Sequence, residues 1–257
     1  MSLKLKNRSV LALNELSVRD IRVLLDMAHE LKRAKNAGTE QVQLRGKNIA
    51  LLFDENAAGR THGAFEVAAG DQGAQVAVVG PGDAQSGARA SVKDTVRVLG
   101  RLYDAIDYRG FDHATARELA RWAGVPVYNG QGDQIHPTQV LADCMTMQER
   151  CPGKLLAQMR LAFLGDARQH GGLSLLQAAA LTGMDFRIAA PQALWPPQAL
   201  IDAAHRTPRP RAPGCASRRR PKRRCRAWTS STPRPGHRRS TRKACRPSVW
   251  RSSCPTR

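Results

Sequence analysis

No stretch of this 257-residue sequence reaches the roughly 18 consecutive apolar residues that a bilayer-crossing helix needs, so no transmembrane helix is expected. The amino terminus, Met1-Ser-Leu-Lys-Leu-Lys-Asn-Arg8, is charged and lacks the apolar core of a secretory signal. Cysteine is scarce. Of six in all, only Cys144 and Cys151 precede residue 206, and their spacing fits neither a metal site nor a disulfide framework. A reducing, cytoplasmic setting is therefore expected. Acidic residues are missing altogether from Arg206 to Arg257, a stretch that holds 18 Lys/Arg, eight of the 15 prolines and four of the six cysteines. The rest of the chain carries 23 basic and 21 acidic residues, so the net charge of +20 belongs almost entirely to the last 52 residues. Nucleotide fingerprints are missing too: Gly165-Asp-Ala-Arg-Gln-His-Gly-Gly172 lacks the G-x-G-x-x-G spacing and no Walker lysine is present, which argues against a dinucleotide-binding dehydrogenase.

What is there, up to about residue 190, alternates between helical and strand periods. Ser17 with Asp20 three residues on is a capping-box pattern. The apolar spacing Val18, Ile21, Leu24, Leu25, Ala28, Leu31 then predicts a helix that stops at Asn36-Ala-Gly38. Strands are predicted at 48–53, 75–79, 105–108 and 125–128, with helices near 60–72, 91–101, 113–123 and 137–150 between and after them. A second series predicts strands at 161–164 and 186–189 around a helix near 172–182. Strands separated by helices imply right-handed crossovers and parallel sheets covered on both faces. The expected fold is α/β: two parallel-sheet domains, the second incomplete, followed by a disordered basic tail. The turn signal Cys151-Pro-Gly-Lys154 divides them into residues 1–150, 151–205 and 206–257. The tail has unopposed charge and few apolar residues, so burial there cannot offset ordering entropy.

In open α/β sheets ligands sit beyond the carboxyl ends of the strands. Four loops follow such ends. Asp54-Glu-Asn-Ala-Ala-Gly-Arg-Thr-His62 runs into a helix whose free N–H groups, with Arg60, suit an anion, although for this loop alone an exposed arginine at a helix start is the more ordinary reading. Gly80-Pro-Gly-Asp-Ala-Gln-Ser-Gly87 is polar. Tyr108-Arg-Gly110 places Arg109 at a strand end, where it is either a surface ion-pair member or an anion ligand. His136-Pro-Thr-Gln139 opens a helix with Pro137 at its first position, while His136 and Gln139 are able to polarise a carbonyl. Together the four loops suggest a small phosphorylated ligand.

The stretches Phe65-Glu-Val-Ala-Ala69, Asp71-Gln-Gly-Ala74, Lys93-Asp-Thr-Val-Arg-Val-Leu-Gly-Arg-Leu-Tyr-Asp104, Tyr108-Arg-Gly-Phe111, His136-Pro-Thr-Gln139 and Gly165-Asp-Ala-Arg168 resemble the ornithine carbamoyltransferases. The resemblance runs from about Asn7 to Ile201. It implies a homotrimer that moves a carbamoyl group from carbamoyl phosphate to ornithine, giving citrulline and phosphate in arginine metabolism, with no metal and no organic cofactor. It also implies that Arg60 and Thr61 end the phosphate loop, and that Gln85 reaches a neighbouring subunit's site. Arg109, His136, Pro137, Thr138 and Gln139 would hold the phosphate and the carbonyl oxygen, with Arg109 and His136 as the catalytic pair. His170 takes the place of an ornithine-contacting asparagine.

Departures from the family pattern predict impaired or absent activity. Ala58 and Gly59 replace the serine and first threonine of the phosphate loop, removing two hydroxyl donors, and His62 replaces the arginine that follows it. The family's Asp-x-x-x-Ser-Met-Gly segment and His-Cys-Leu-Pro loop have no counterparts, so the second domain reads as truncated. Read one base earlier, Trp228-Thr-Ser-Ser-Thr-Pro233 can encode an apolar residue, Asp, two further apolar residues, a polar or aromatic residue and a small one. That is the pattern of a family strand, and it suggests an out-of-frame tail. The competing reading is a non-catalytic anion- or nucleic-acid-binding protein acting non-specifically through the +18 tail, with Trp228 and Trp250 its only stacking residues.

Overall fold

The structure is a computed structural model that describes residues 5–53, 62–80, 92–110, 112–132, 134–207 and 225–227. Helix α1 (Val18–Ala37) starts where the capping box predicts: Asp20 N donates to Ser17 Oγ at 3.1 Å and Ser17 N donates to the Asp20 carboxylate at 2.9 Å. That bond from Ser17 N, with a second from Ser17 Oγ at 2.8 Å, stabilises the ionised carboxylate and holds the Asp20 pKa below the usual range. The helix ends at Gly38, whose φ of 67° is the left-handed conformation that closes a helix at little cost only for glycine.

Strands β1 (Asn48–Phe53), β2 (Gln75–Val79), β3 (Ala105–Arg109) and β4 (Val127–Gln131) form one parallel sheet in the order β2-β1-β3-β4. Between them lie α2 (His62–Asp71), α3 (Val92–Leu102) and α4 (His113–Trp122). The chain steps one way from β1 to β2 and the other way from β2 across β1 to β3, so right-handed crossovers put α2 on one face and α3 and α4 on the other. The packing agrees. Ile49 and Leu51 bury against Ala69 and Ala74, while Ala50 and Leu52 bury with Val96, Leu99, Ala116 and Leu119. Beyond β4, Val10 of the amino-terminal segment adds a parallel bridge to Tyr128. Strand β4 begins two residues later than the sequence suggests. Pro126 has no N–H to give the ladder, and the chain stays extended through the polar Asn129-Gly-Gln131 instead.

Helix α5 (Pro137–Arg150) leads to β5 (Arg160–Leu164), α6 (His170–Thr182), β6 (Asp185–Ala189), α7 (Gln198–Arg206) and the short β7 (Cys225–Ala227), with sheet order β5-β6-β7, all parallel. Residue Arg206 ends a helix, and Cys225–Ala227 of the basic tail pairs along β6, because a bare parallel edge accepts any extended backbone. The remainder of 208–257 lies outside the described residues, as does its expected disorder. Among the described residues this sheet is covered on one face, as expected of an incomplete second domain. Strand order follows chain order, so both crossovers, α6 and α7, fall on one face. The other face presents Arg160, Ala162, Arg187 and Leu164, the last 76 % exposed.

The two sheets share their largest core. Leu13, Leu16, Ile21 and Leu25 of the amino-terminal segment and α1, with Val140 and Cys144 of α5, pack in one cluster with Leu175, Leu176, Ala179 and Phe186 of the second series.

Candidate functional site

The reversal of strand order between β1 and β3 opens a crevice at their carboxyl ends, the place where an open α/β sheet receives a ligand. Arg109 is the last residue of β3. Strand period 2 puts it on the same face as Asp107, and Arg109 Nε donates to Asp107 Oδ2 at 2.9 Å. The guanidinium is only 4 % exposed, which removes the surface ion-pair reading, and its Nη1 is buried without a hydrogen-bond partner. A buried cationic donor left unmatched is costly, about 1–3 kcal/mol or more, and an anion accepting from Nη1 would remove that cost. The sheet is shaped around the pair. The β3–β4 register shifts between Tyr108 and Arg109, and a Cβ on Gly130 would come within 2.4 Å of the Asp107 carboxylate.

His136 caps α5 and is buried. Burial, then the nearby His170 and the Arg109 charge, push its pKa down to about 4, so the ring is neutral at physiological pH. Thr138 Oγ1 lies 3.2 Å from His136 Nδ1; when the hydroxyl donates there, the ring proton sits on Nε2, free to donate to a developing oxyanion. The backbone N–H of His136 donates to Ser174 Oγ of α6 at 2.9 Å, tying the first unit to the second. His170, in the first turn of α6, brings its ring to 6.0 Å from His136 at 63°, with its Nδ1 buried and unpartnered. Its position depends on Gly172, where a Cβ would meet Ala167 Cα at 2.5 Å; without one, the start of α6 nests on the loop after β5.

The structure thus brings together Arg109, His136, Thr138 and His170. Pro137 is buried at the start of α5, and Gln139 points along the helix surface, where its Nε2 donates to Asp143 Oδ1 at 3.0 Å. Arg60, Thr61 and Gln85 lie outside the described residues. Sequence reasoning missed Asp107 and Ser174. An aspartate in the middle of the apolar strand Ala105-Ile-Asp-Tyr-Arg109, two residues before an arginine, was the available signal for the first. Nothing distinguishes Ser174 from any other helical serine. Cys144 is buried and its thiol is pushed up to about 12, so it is no nucleophile at neutral pH. No group of metal-ligating side chains occurs among the described residues, and no described helix is long and apolar enough to cross a membrane.

Fold and site define an α/β protein with a buried, partly unmatched cation at the switch point of one parallel sheet and a second parallel unit set against it. Residues 8–149 match the family model of the aspartate/ornithine carbamoyltransferase, carbamoyl-P binding domain. The chain belongs to the aspartate/ornithine carbamoyltransferase family. It is 54 % identical over 202 residues to an ornithine carbamoyltransferase from Actinobacillus pleuropneumoniae, a match that takes in 79 % of this chain and 60 % of that protein. The chain therefore spans about three-fifths of the length of the curated relatives it matches. Among solved structures, the ornithine carbamoyltransferase from Pyrococcus furiosus superposes with a TM-score of 0.73 at 32 % identity, covering 79 % of this chain and 64 % of that one. That from Gloeobacter violaceus gives 0.66 at 36 % identity, covering 77 % and 63 %.

Proposed function

We propose that this chain binds carbamoyl phosphate and is a catalytically impaired carbamoyltransferase whose acceptor amine is ornithine. The observation that carries the reading is the buried, partly unmatched guanidinium of Arg109 beside a neutral His136 at the sheet's switch point. In the reaction the acceptor's neutral amine attacks the carbonyl carbon. A C–N bond forms, the carbonyl π pair moves onto oxygen, and collapse breaks the C–O bond to the phosphate, which leaves with that electron pair as the nitrogen sheds a proton. Arg109 balances charge on the leaving phosphate, and His136 Nε2–H donates to the carbonyl oxygen as it becomes an oxyanion. Both act more strongly on the transition state than on the ground state. Arg60 and Thr61 supply the remaining phosphate contacts, Gln85 serves a neighbouring protomer of a homotrimer, and His170 faces the acceptor.

Impairment follows from Ala58 and Gly59. Two missing hydroxyl donors to a charged oxygen, at about 1.5–3 kcal/mol each, weaken carbamoyl phosphate handling on the order of 10²–10⁴-fold. Residues 1–150 are the carbamoyl-phosphate unit, 151–205 a partial acceptor unit, and 206–257 a basic tail read out of frame, in a cytoplasmic protein. A citrulline assay on the full chain, run beside carbamoyl phosphate titration by calorimetry, tests the reading. Weak binding with little or no citrulline is expected. Turnover at an ordinary enzymatic rate would overturn the impairment, and absence of any binding heat would overturn the anion site. The +18 charge of the tail favours a second activity, salt-sensitive and sequence-independent attraction to nucleic acid, which removal of residues 208–257 would abolish.

A further inference from the structure

On the face of the first sheet covered by α3 and α4, away from the strand ends that form the crevice, lies a cavity of about 790 Å³ walled by Arg97, Val98, Arg101, Leu102 and Trp122. Its floor is fixed by close packing of the two helices: a Cβ on Gly100 would fall 1.7 Å from the Ala123 carbonyl oxygen. Around the Trp122 ring stand three cations, with Lys93 Nζ at 4.0 Å from the centroid, Arg121 Cζ at 4.8 Å and Arg97 Cζ at 5.2 Å. The indole N–H donates to Glu118 Oε2 at 2.9 Å, which fixes the ring's orientation. Of these cations only Arg121 has an ion-pair partner among the described residues, Glu118 at 3.7 Å. Lys93, Arg97 and Arg101 are spaced four residues apart, so they form one ridge along α3 with a rise of about 6 Å between neighbours. Beside that ridge Val98 and Leu102 are exposed by 58 % and 62 %.

A row of unpaired cations next to an oriented aromatic ring and bare apolar side chains suits a ligand that combines phosphate charge with a flat apolar face. We propose that this cavity binds nucleoside phosphates, with the phosphate on Arg97 and Arg101 and the base against Trp122, Val98 and Leu102. Free nucleotides and the nucleotides of a single strand share this chemistry. The site is separate from the +18 tail, because it offers stacking on a folded surface, whereas the tail offers charge.

The test uses the full chain and a charge-reversed variant, Arg97→Glu/Arg101→Glu, whose two side chains are exposed. AMP, inorganic phosphate and a ten-residue adenine RNA are titrated by calorimetry and by tryptophan fluorescence at several salt concentrations. Expected results are quenching by AMP and by the RNA but not by phosphate, with at least a tenfold weaker affinity for the variant. The salt slope for RNA should fall by about 2, one for each lost phosphate contact. AMP binding without a matching effect on RNA assigns the site to free nucleotides, and loss of both assigns it to either source. Equal affinity and equal slope in the two proteins would overturn the proposal and leave the tail as the whole of the attraction. A change in sedimentation coefficient without a change in nucleotide affinity would overturn it as well, making the ridge a contact between copies of the chain. Circular dichroism and unchanged carbamoyl phosphate heats check that the variant is folded.

Discussion

Arg109 and Asp107 stand or fall together. Changing Arg109→Gln leaves the Asp107 carboxylate buried without its cation, a loss of about 3–5 kcal/mol that urea denaturation will register. The double change Asp107→Asn/Arg109→Gln should recover much of that stability, since no net charge stays buried. Calorimetry should nevertheless show that carbamoyl phosphate binding remains lost, which separates the anion role from the structural one. His136 contributes a pH signature. Its pKa falls from an ordinary 6.5 in the unfolded chain to about 4 in the fold, so the unfolded state takes up the proton first as pH drops. Its stabilising share is complete above pH 6.5 and is lost between there and pH 4, amounting to about 3 kcal/mol. His136→Asn should flatten that segment of a denaturation-midpoint profile. Conversely, Ala58→Ser with Gly59→Thr restores two hydroxyl donors and should tighten carbamoyl phosphate binding on the order of 10²-fold or more.

At the scale of elements, the pieces of the site differ in how legible they were. Helix α5 lies where the sequence places it, because Pro137 at its first position and an apolar spacing through Val140 and Cys144 are local signals. Strand β4 was misplaced because Asn129, Gly130 and Gln131 carry no apolar pattern, and pairing with β3 overrides their weak strand preference. Arg109 stayed ambiguous for a related reason. One residue at a strand end has no period of its own, and only the crossover geometry decides whether it meets solvent or a crevice. The bulge opposite Arg109 gives a test at this scale. Gly130→Ala drives a methyl into the Asp107 carboxylate and should cost about 1–3 kcal/mol in urea denaturation. A smaller cost would mean that β4 shifts to make room.

For the molecule as a whole, the α/β class was readable from alternation alone, and the family from short motifs spread over the first two hundred residues. That the second unit is incomplete was readable as well, but which face of its sheet is left uncovered among the described residues was not. Which face a crossover covers depends on strand order, and strand order is not written in any segment. The bare face carries its own consequence for behaviour in solution. Leu164→Lys should lower light scattering at a given protein concentration while shifting the denaturation midpoint little, because the replaced side chain is already in water.

The cluster that unites Leu13, Leu25 and Val140 with Leu176 and Phe186 sets a limit on how such a chain can decay or be trimmed. The second unit supplies the apolar floor on which the first and last helices of the first unit rest. It cannot be discarded as dead weight: cutting the polypeptide at Arg150 would strip one flank of α1 and α5 to water and unsettle the very His136 corner that the excision was meant to spare.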